Sequence, residues 1–377
     1  MISEIEEKTH RLRETLKVEG LAGVLLNAQH NFAWLTAGGS NGIDLSRENG
    51  ASFLFVRADG KRFLIANNIE LPRLLAEEVS ETDFEPIELS WQQEKASGDA
   101  IVAAAKSLLT GGEIASDVYL SPRLRAIDGS IAACRFQLTT AEIERYRKLG
   151  KDASDCLGEL AATFSPGESE IEIARRVQSA LAKYSIASVV TLVAADDRIE
   201  RFRHPIPTGN IWKKTLLIAI CARRGGLIAS LTRVICAGDV PPELERRTAA
   251  TAAVNAKLQA ATEPGAKASD LYSIAASAYA ELGFADEIEK HHQGGACGYR
   301  TRDWVAHPAS GETVKPNQSF AWNPSITGTK TEATGIVRDG RFESITFISG
   351  FPQIITNVNG SDYRSPGILS LSKGVSA

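Results

Sequence analysis

The side chains best suited to chemistry in this 377-residue chain lie in its second half, beginning with His204 in the stretch Arg201-Phe202-Arg203-His204-Pro205. An imidazole can take up and return a proton near neutral pH without large tuning, so His204 is a candidate general acid and base; the alternative is a surface histidine ahead of a turn-forming proline. A second pair, His291 and His292, opens the run His291-His292-Gln293-Gly294-Gly295-Ala296-Cys297-Gly298. These two either line a pocket or sit at a helix C-terminus, where cationic side chains are favoured. The glycines let backbone approach a ligand closely or simply make a turn, and the run does not open a helix as a phosphate loop would. Arg302 offers a planar guanidinium that matches a carboxylate or phosphate, unless it pairs with Asp303 or Glu312. Cys297 follows His291 by six residues, but nothing in the sequence orients the thiol or lowers its pKa, so a thiol nucleophile is not the reading adopted.

The elements that must position these residues fall into two patterns. Up to about residue 138 the chain alternates short apolar runs (Gly23 to Leu26, Ser52 to Val56, Arg62 to Ala66) with helical segments near Ile69 to Val79 and Asp99 to Leu109. The opening stretch from Met1 to Leu16 has helical spacing, and Ala58-Asp59-Gly60 reads as a hairpin turn. From residue 139 onward, Thr140 is placed as the N-cap of a long helix, and a second helix spans Ser169 to Tyr184. A strand follows at Ala187 to Ala194. Two more, Thr215 to Ala222 and Leu227 to Ala237, flank a four-residue turn, Arg223-Arg224-Gly225-Gly226. Helices at Pro242 to Ala261 and Ala268 to Gly283 precede the glycine run, and strands and turns follow it. The expected fold is α+β, with an α/β domain over 1–138 and a larger domain over 139–377.

Composition narrows the class of partner. With 42 Lys and Arg against 46 Asp and Glu, the net charge of -4 gives no reason to expect nucleic acid or an anionic membrane, and a small molecule or short peptide is the expected partner. No export signal is visible. The five cysteines show no disulfide or zinc-finger spacing, which points to a reducing cytoplasm.

The glycine run, the Arg203-His204-Pro205-Ile206-Pro207-Thr208 stretch and the strand pair from Leu216 to Gly238 together resemble the pita-bread superfamily of creatinase, prolidase and aminopeptidase P. The opening segments Gly20 to Leu26 and Asn31 to Thr36 are similar to the smaller N-terminal domain of creatinases and prolidases. In metal-dependent members the ligands are two aspartates, a histidine and two glutamates. Thr232-Arg233 and Gly226 fix the register, and Ala219, Ser230, Gly295 and Asn323 then stand at four ligand positions, with Glu332 at the fifth and Lys330 two residues before it. Hydrolytic divalent cations need several oxygen or imidazole ligands, which a lone glutamate cannot supply.

The resemblance therefore implies a site without metal or other cofactor, similar to that of creatinase, which hydrolyses its substrate on this fold without metal. His204 matches the acid–base histidine, His291 a proton-handling histidine and Glu332 a substrate-orienting carboxylate. Arg203, Tyr299, Arg302 and Asn323 fall at substrate-facing positions. The expected activity is hydrolysis of a C–N bond in a small amide, amidine or amino-acid derivative, by a homodimer. The rivals are a catalytically silent ligand-binding protein and, further off, a metal-dependent proline-specific aminopeptidase.

Overall fold

The computed structural model describes residues 2–122, 124–347 and 350–371; Met1 lies outside them. The chain divides into two compact units, Met1–Phe136 and Gln137–Ala377, a division two residues before the expected one. In the first, helix Glu4–Glu19 starts from a Ser3–Glu6 capping box. A six-stranded mixed sheet runs in the order Glu85–Leu89, Arg62–Asn67, Asn49–Arg57, Gly23–Ala28, Ile114–Ser116, Arg125–Ala126. Leu25, Phe55, Phe63 and Ile65 of that sheet pack against Ile101 and Val102 of helix Ala100–Ser107. The Ala58-Asp59-Gly60 turn joins two antiparallel strands, with Gly60 at φ +95° and the Asp59 carboxylate accepting from the Lys61 amide. Helices Gln29–Leu35 and Asp128–Arg135 were not anticipated from the pattern.

The second unit begins with helix Thr140–Ala161. Its N-cap is Thr139 rather than Thr140, because the Thr139 hydroxyl accepts from the Glu142 amide while the Glu142 carboxylate accepts from the Thr139 amide. Helix Glu170–Ala182 is capped in the same way by Ser169 and Glu172. A four-stranded sheet follows, ordered Ile368–Leu371, Leu227–Ala237, Thr215–Arg224, Ala187–Ala195. The hairpin at its centre turns on Gly225 and Gly226 alone, both at positive φ (+54° and +78°). Arg223 and Arg224 stay in the strand, since two consecutive left-handed glycines make the tight turn whose twist matches antiparallel strands.

A second four-stranded sheet, Gly294–Cys297, Ser319–Trp322, Ala333–Arg338, Arg341–Ser344, lies against the first. The two are stitched where the Ser230 amide donates to Thr334 Oγ1 (2.8 Å) and the Thr232 amide to the Glu332 carbonyl (3.3 Å). Helices Pro242–Ala261 and Ala268–Glu281 pack against one another, and Tyr279 of the second reaches Gln293 and Ser325 through its hydroxyl. Among the described residues no helix is long and apolar enough to cross a membrane.

Candidate active site

Four segments of the second unit meet at one cleft. The hairpin Thr215–Arg224/Leu227–Ala237 pairs Ala219 with Thr232 and Cys221 with Ser230, so alternation puts all four on one face. The chain after strand Ser319–Trp322 supplies Asn323, strand Thr329–Lys330 supplies Lys330, and Glu332 stands just before strand Ala333–Arg338. The segment after helix Asp197–Arg201 supplies His204, and the chain on either side of strand Gly294–Cys297 supplies His292 and Arg302. The resulting cleft has a volume of about 150 Å³, is partly open to solvent, and is lined by His204, Cys221, His292, Thr301, Arg302, Asn323, Lys330 and Glu332 among others.

Glu332 is the electrostatic centre. Its buried carboxylate accepts from Thr232 Oγ1 at 2.7 Å and lies 2.9 Å from Lys330 Nζ and 3.4 Å from Arg302 Nη2. Burial alone would raise its pKa; Lys330, Arg302 and the Thr232 hydrogen bond outweigh that and hold it below the usual range. Glu332 is thus a fixed anion that orients two cations. It does not serve as a proton donor near neutrality.

The histidines form a second group. His204 Nε2 lies 3.3 Å from His291 Nε2, and the His291 and His292 rings stack with centroids 4.4 Å apart. Burial lowers the pKa of His204, Lys330 and Arg302 lower it further, and Glu332 opposes them. Burial, followed by the charge of Lys330, takes His291 down to about 2, and burial with Arg302 takes His292 to about 4. All three rings are neutral near pH 7, so the His204–His291 pair shares one proton along its axis. His291 is the C-cap of the short 3₁₀ helix Ala285–Lys290, and His292 follows it.

Some polar capacity in the cleft is unused. Arg302 donates through Nη1 to the Thr301 carbonyl at 2.5 Å, while its buried Nε has no partner, and neither has Asn323 Oδ1.

The structure draws two expected residues elsewhere. Tyr299 is buried and its hydroxyl donates to Glu142 Oε1 at 2.8 Å, bracing the capped start of helix Thr140–Ala161 and not the cleft. Arg203 pairs with Glu287 (2.5 Å) and Thr327 Oγ1 (3.0 Å) and lines a smaller neighbouring cavity with His291. Arg302 takes neither Asp303 nor Glu312 as its ion-pair partner but Glu332. Cys297 is buried, and desolvation pushes its thiol up to about 11, which makes it unreactive. Of the two cations that the sequence offers as partners for Glu332, Lys330 takes that place at 2.9 Å, while Arg338 donates to Asn317 Oδ1.

The family model for metallopeptidase family M24 matches residues 144–348. The chain belongs to metallopeptidase family M24. A comparison with curated protein sequences gives no match. Among solved structures the chain is similar to an Xaa-Pro dipeptidase from Bacillus anthracis (TM-score 0.74, 17% identity, 91% of this chain and 98% of that one). It is also similar to dipeptidase PepE from Mycobacterium ulcerans (0.76, 14%, 98% and 98%) and to the N-terminal domain of FACT complex subunit SPT16 from chickpea, Cicer arietinum (0.70, 11%, 92% and 97%). This M24 chain has the two-domain α+β architecture with a C-terminal pita-bread domain, a fold shared by chains titled as dipeptidases and one titled as a subunit of a complex.

A paired-metal site does not fit the residues this M24 chain presents. Ala219 has no ligand atom, and Glu332 is already engaged by two cations. At residue 295 there is no room for a histidine, because a Cβ there would lie 2.1 Å from the Trp304 carbonyl oxygen.

Proposed function

We propose that this M24 chain is a metal-independent hydrolase of a C–N bond in a small amide, amidine or amino-acid derivative. The observation that carries the reading is the pairing of Lys330 and Arg302 with Glu332 where the family would hold metal, beside a neutral histidine, His204, that reaches the same cleft and contacts His291 behind it. In the reaction, His204 removes a proton from water as its oxygen bonds to the substrate carbon. Arg302 and Lys330 hold an anionic group of the substrate before and during reaction, and the carboxylate of Glu332 keeps both cations in place. The C–N bond then breaks and His204 returns the proton to the leaving nitrogen. His291, across the shared Nε2–Nε2 contact, orients the ring and disperses its positive charge.

Ordinary Xaa-Pro hydrolysis, the activity named for the Bacillus anthracis relative, is not expected, since the metal ligands it would use are missing. A second reading, a ligand-binding protein without turnover, is favoured by the ion-paired state of Glu332 and by the relative titled as a complex subunit. The two separate experimentally. Ligands found by thermal shift with chelator present are incubated with wild-type, His204→Ala and Arg302→Ala protein. Catalysis predicts that His204→Ala lowers kcat by about 10²-fold or more, and that Arg302→Ala acts mainly on KM. Equal product from wild type and His204→Ala removes His204 from its role; no product from any of them favours binding.

A further inference from the structure

His204 and the adjacent pair His291 and His292 come from distant places in the chain, yet one ring nitrogen from each lies within 4.8 Å of the others. The His204–His291 Nε2 separation of 3.3 Å equals the edge of a tetrahedron of nitrogens about 2.0 Å from a central ion. His291 is 9% exposed, and its Nδ1 has no hydrogen-bond partner. His204 and His292 are exposed, so an ion can enter from solvent and these rings can turn to close the remaining distance. We infer that the three histidines form a site for a borderline transition metal, Zn²⁺, Co²⁺, Ni²⁺ or Cu²⁺, and that filling it inhibits the cleft.

None of these ligands corresponds to the carboxylate-rich set of the family's metal positions. The electrostatics choose the ion. Lys330, Arg302 and Arg203 surround the histidines and Glu332 is already paired, so a hard cation that needs anionic oxygen ligands gains nothing here. Three neutral imidazoles suit a metal with strong affinity for nitrogen and leave its fourth position to solvent. The inhibitory part rests on the function proposed above: a metal bound through Nε2 puts positive charge on the His204 ring and strips its other nitrogen of the basicity needed to take a proton from water.

The test begins without substrate. Chelator-treated, full-length protein is titrated with Zn²⁺ by calorimetry and with Co²⁺ in visible absorption. One ion per chain and a tetrahedral Co²⁺ spectrum are expected, with each of His204→Asn, His291→Asn and His292→Asn weakening affinity about tenfold or more while melting temperatures confirm folding. His292→Asn is the decisive variant, because His292 lies outside the proposed proton-transfer pair. No binding of any of the four ions, or an affinity that all three substitutions leave unchanged, overturns the site. If a turned-over substrate is in hand, stoichiometric Zn²⁺ should abolish turnover in the wild type and do so less well in His292→Asn; undiminished or increased turnover in the zinc-loaded wild type overturns the inhibitory part. Binding is read before any substrate is known, so its failure is distinct from failure of the hydrolase reading.

Discussion

A histidine that must work as a base is useful only while unprotonated, and the cations around His204 secure that condition. Burial, Lys330 and Arg302 all lower its pKa from 6.5, against the opposing pull of Glu332. The sign follows directly: the neutral form persists below pH 6.5, so the acid limb of kcat/KM should fall below the ordinary histidine range. Lys330→Gln removes a lowering charge and leaves Glu332 with one cation fewer, and both changes raise the His204 pKa. The acid limb should therefore move towards pH 6.5 in that variant, as a pH–rate profile of the two proteins would record; an unmoved limb would mean that His204 is not the group titrating. His291 carries the parallel stability effect. Its folded pKa, depressed to about 2, means that the unfolded chain binds the extra proton below pH 6.5. Stability should thus decline as pH falls from 6.5, with a slope from this residue of about 1.4 kcal/mol per pH unit at most, and His291→Asn should flatten that decline in urea unfolding. The candidate site was legible where a side chain of suitable type does line the cleft, as with His204 and Arg302. It was not legible where the outcome depended on which partner arrived, as with Arg203 at Glu287 and Tyr299 at Glu142.

At the scale of elements, Gly295 and Tyr299 show how strand and helix geometry decides a residue's use. Strand Gly294–Cys297 pairs with Ser319–Trp322 on one side, and the returning chain at Trp304 and Val305 covers residue 295 so closely that any Cβ collides with backbone. Backbone cannot swing aside as a side chain can, so Gly295→Ala should cost about 1 to 3 kcal/mol or more, lowering the denaturation midpoint. Gly311→Ala, in open space, is the control. Tyr299→Phe removes one buried hydrogen bond to Glu142 and should cost about 1 to 3 kcal/mol while leaving ligand affinity unchanged. Apolar spacing at helical period and the glycine pair made the long helices of the second unit and the central hairpin readable in advance. The shift from Thr140 to Thr139 and the shortening of the hairpin loop to Gly225-Gly226 are choices between adjacent residues that only closed hydrogen bonds resolve.

At the scale of the whole molecule, the order of helices, hairpin, helices and glycine run carried the α+β fold and the membership of M24, because that order is a property of many residues and survives the loss of any few. Activity does not survive in the same way, since it depends on a handful of atoms. The four departures from the metal positions are linked through packing. Restoring Ala219→Asp, Ser230→Asp and Asn323→Glu together would place three new carboxylates beside Glu332 in a cleft where only Lys330 and Arg302 can balance them, and adding Gly295→His would require the chain at Trp304 and Val305 to move. The quadruple variant should therefore neither bind Mn²⁺ at a paired site nor hydrolyse Xaa-Pro dipeptides. Calorimetry with Mn²⁺ and a dipeptide assay check both, and circular dichroism establishes whether the variant folds. Should it fold poorly, the triple variant that keeps Gly295 gives the same readout with less strain, and tight Mn²⁺ binding by either, accompanied by dipeptide cleavage, would show that the cleft retains the family's metal geometry.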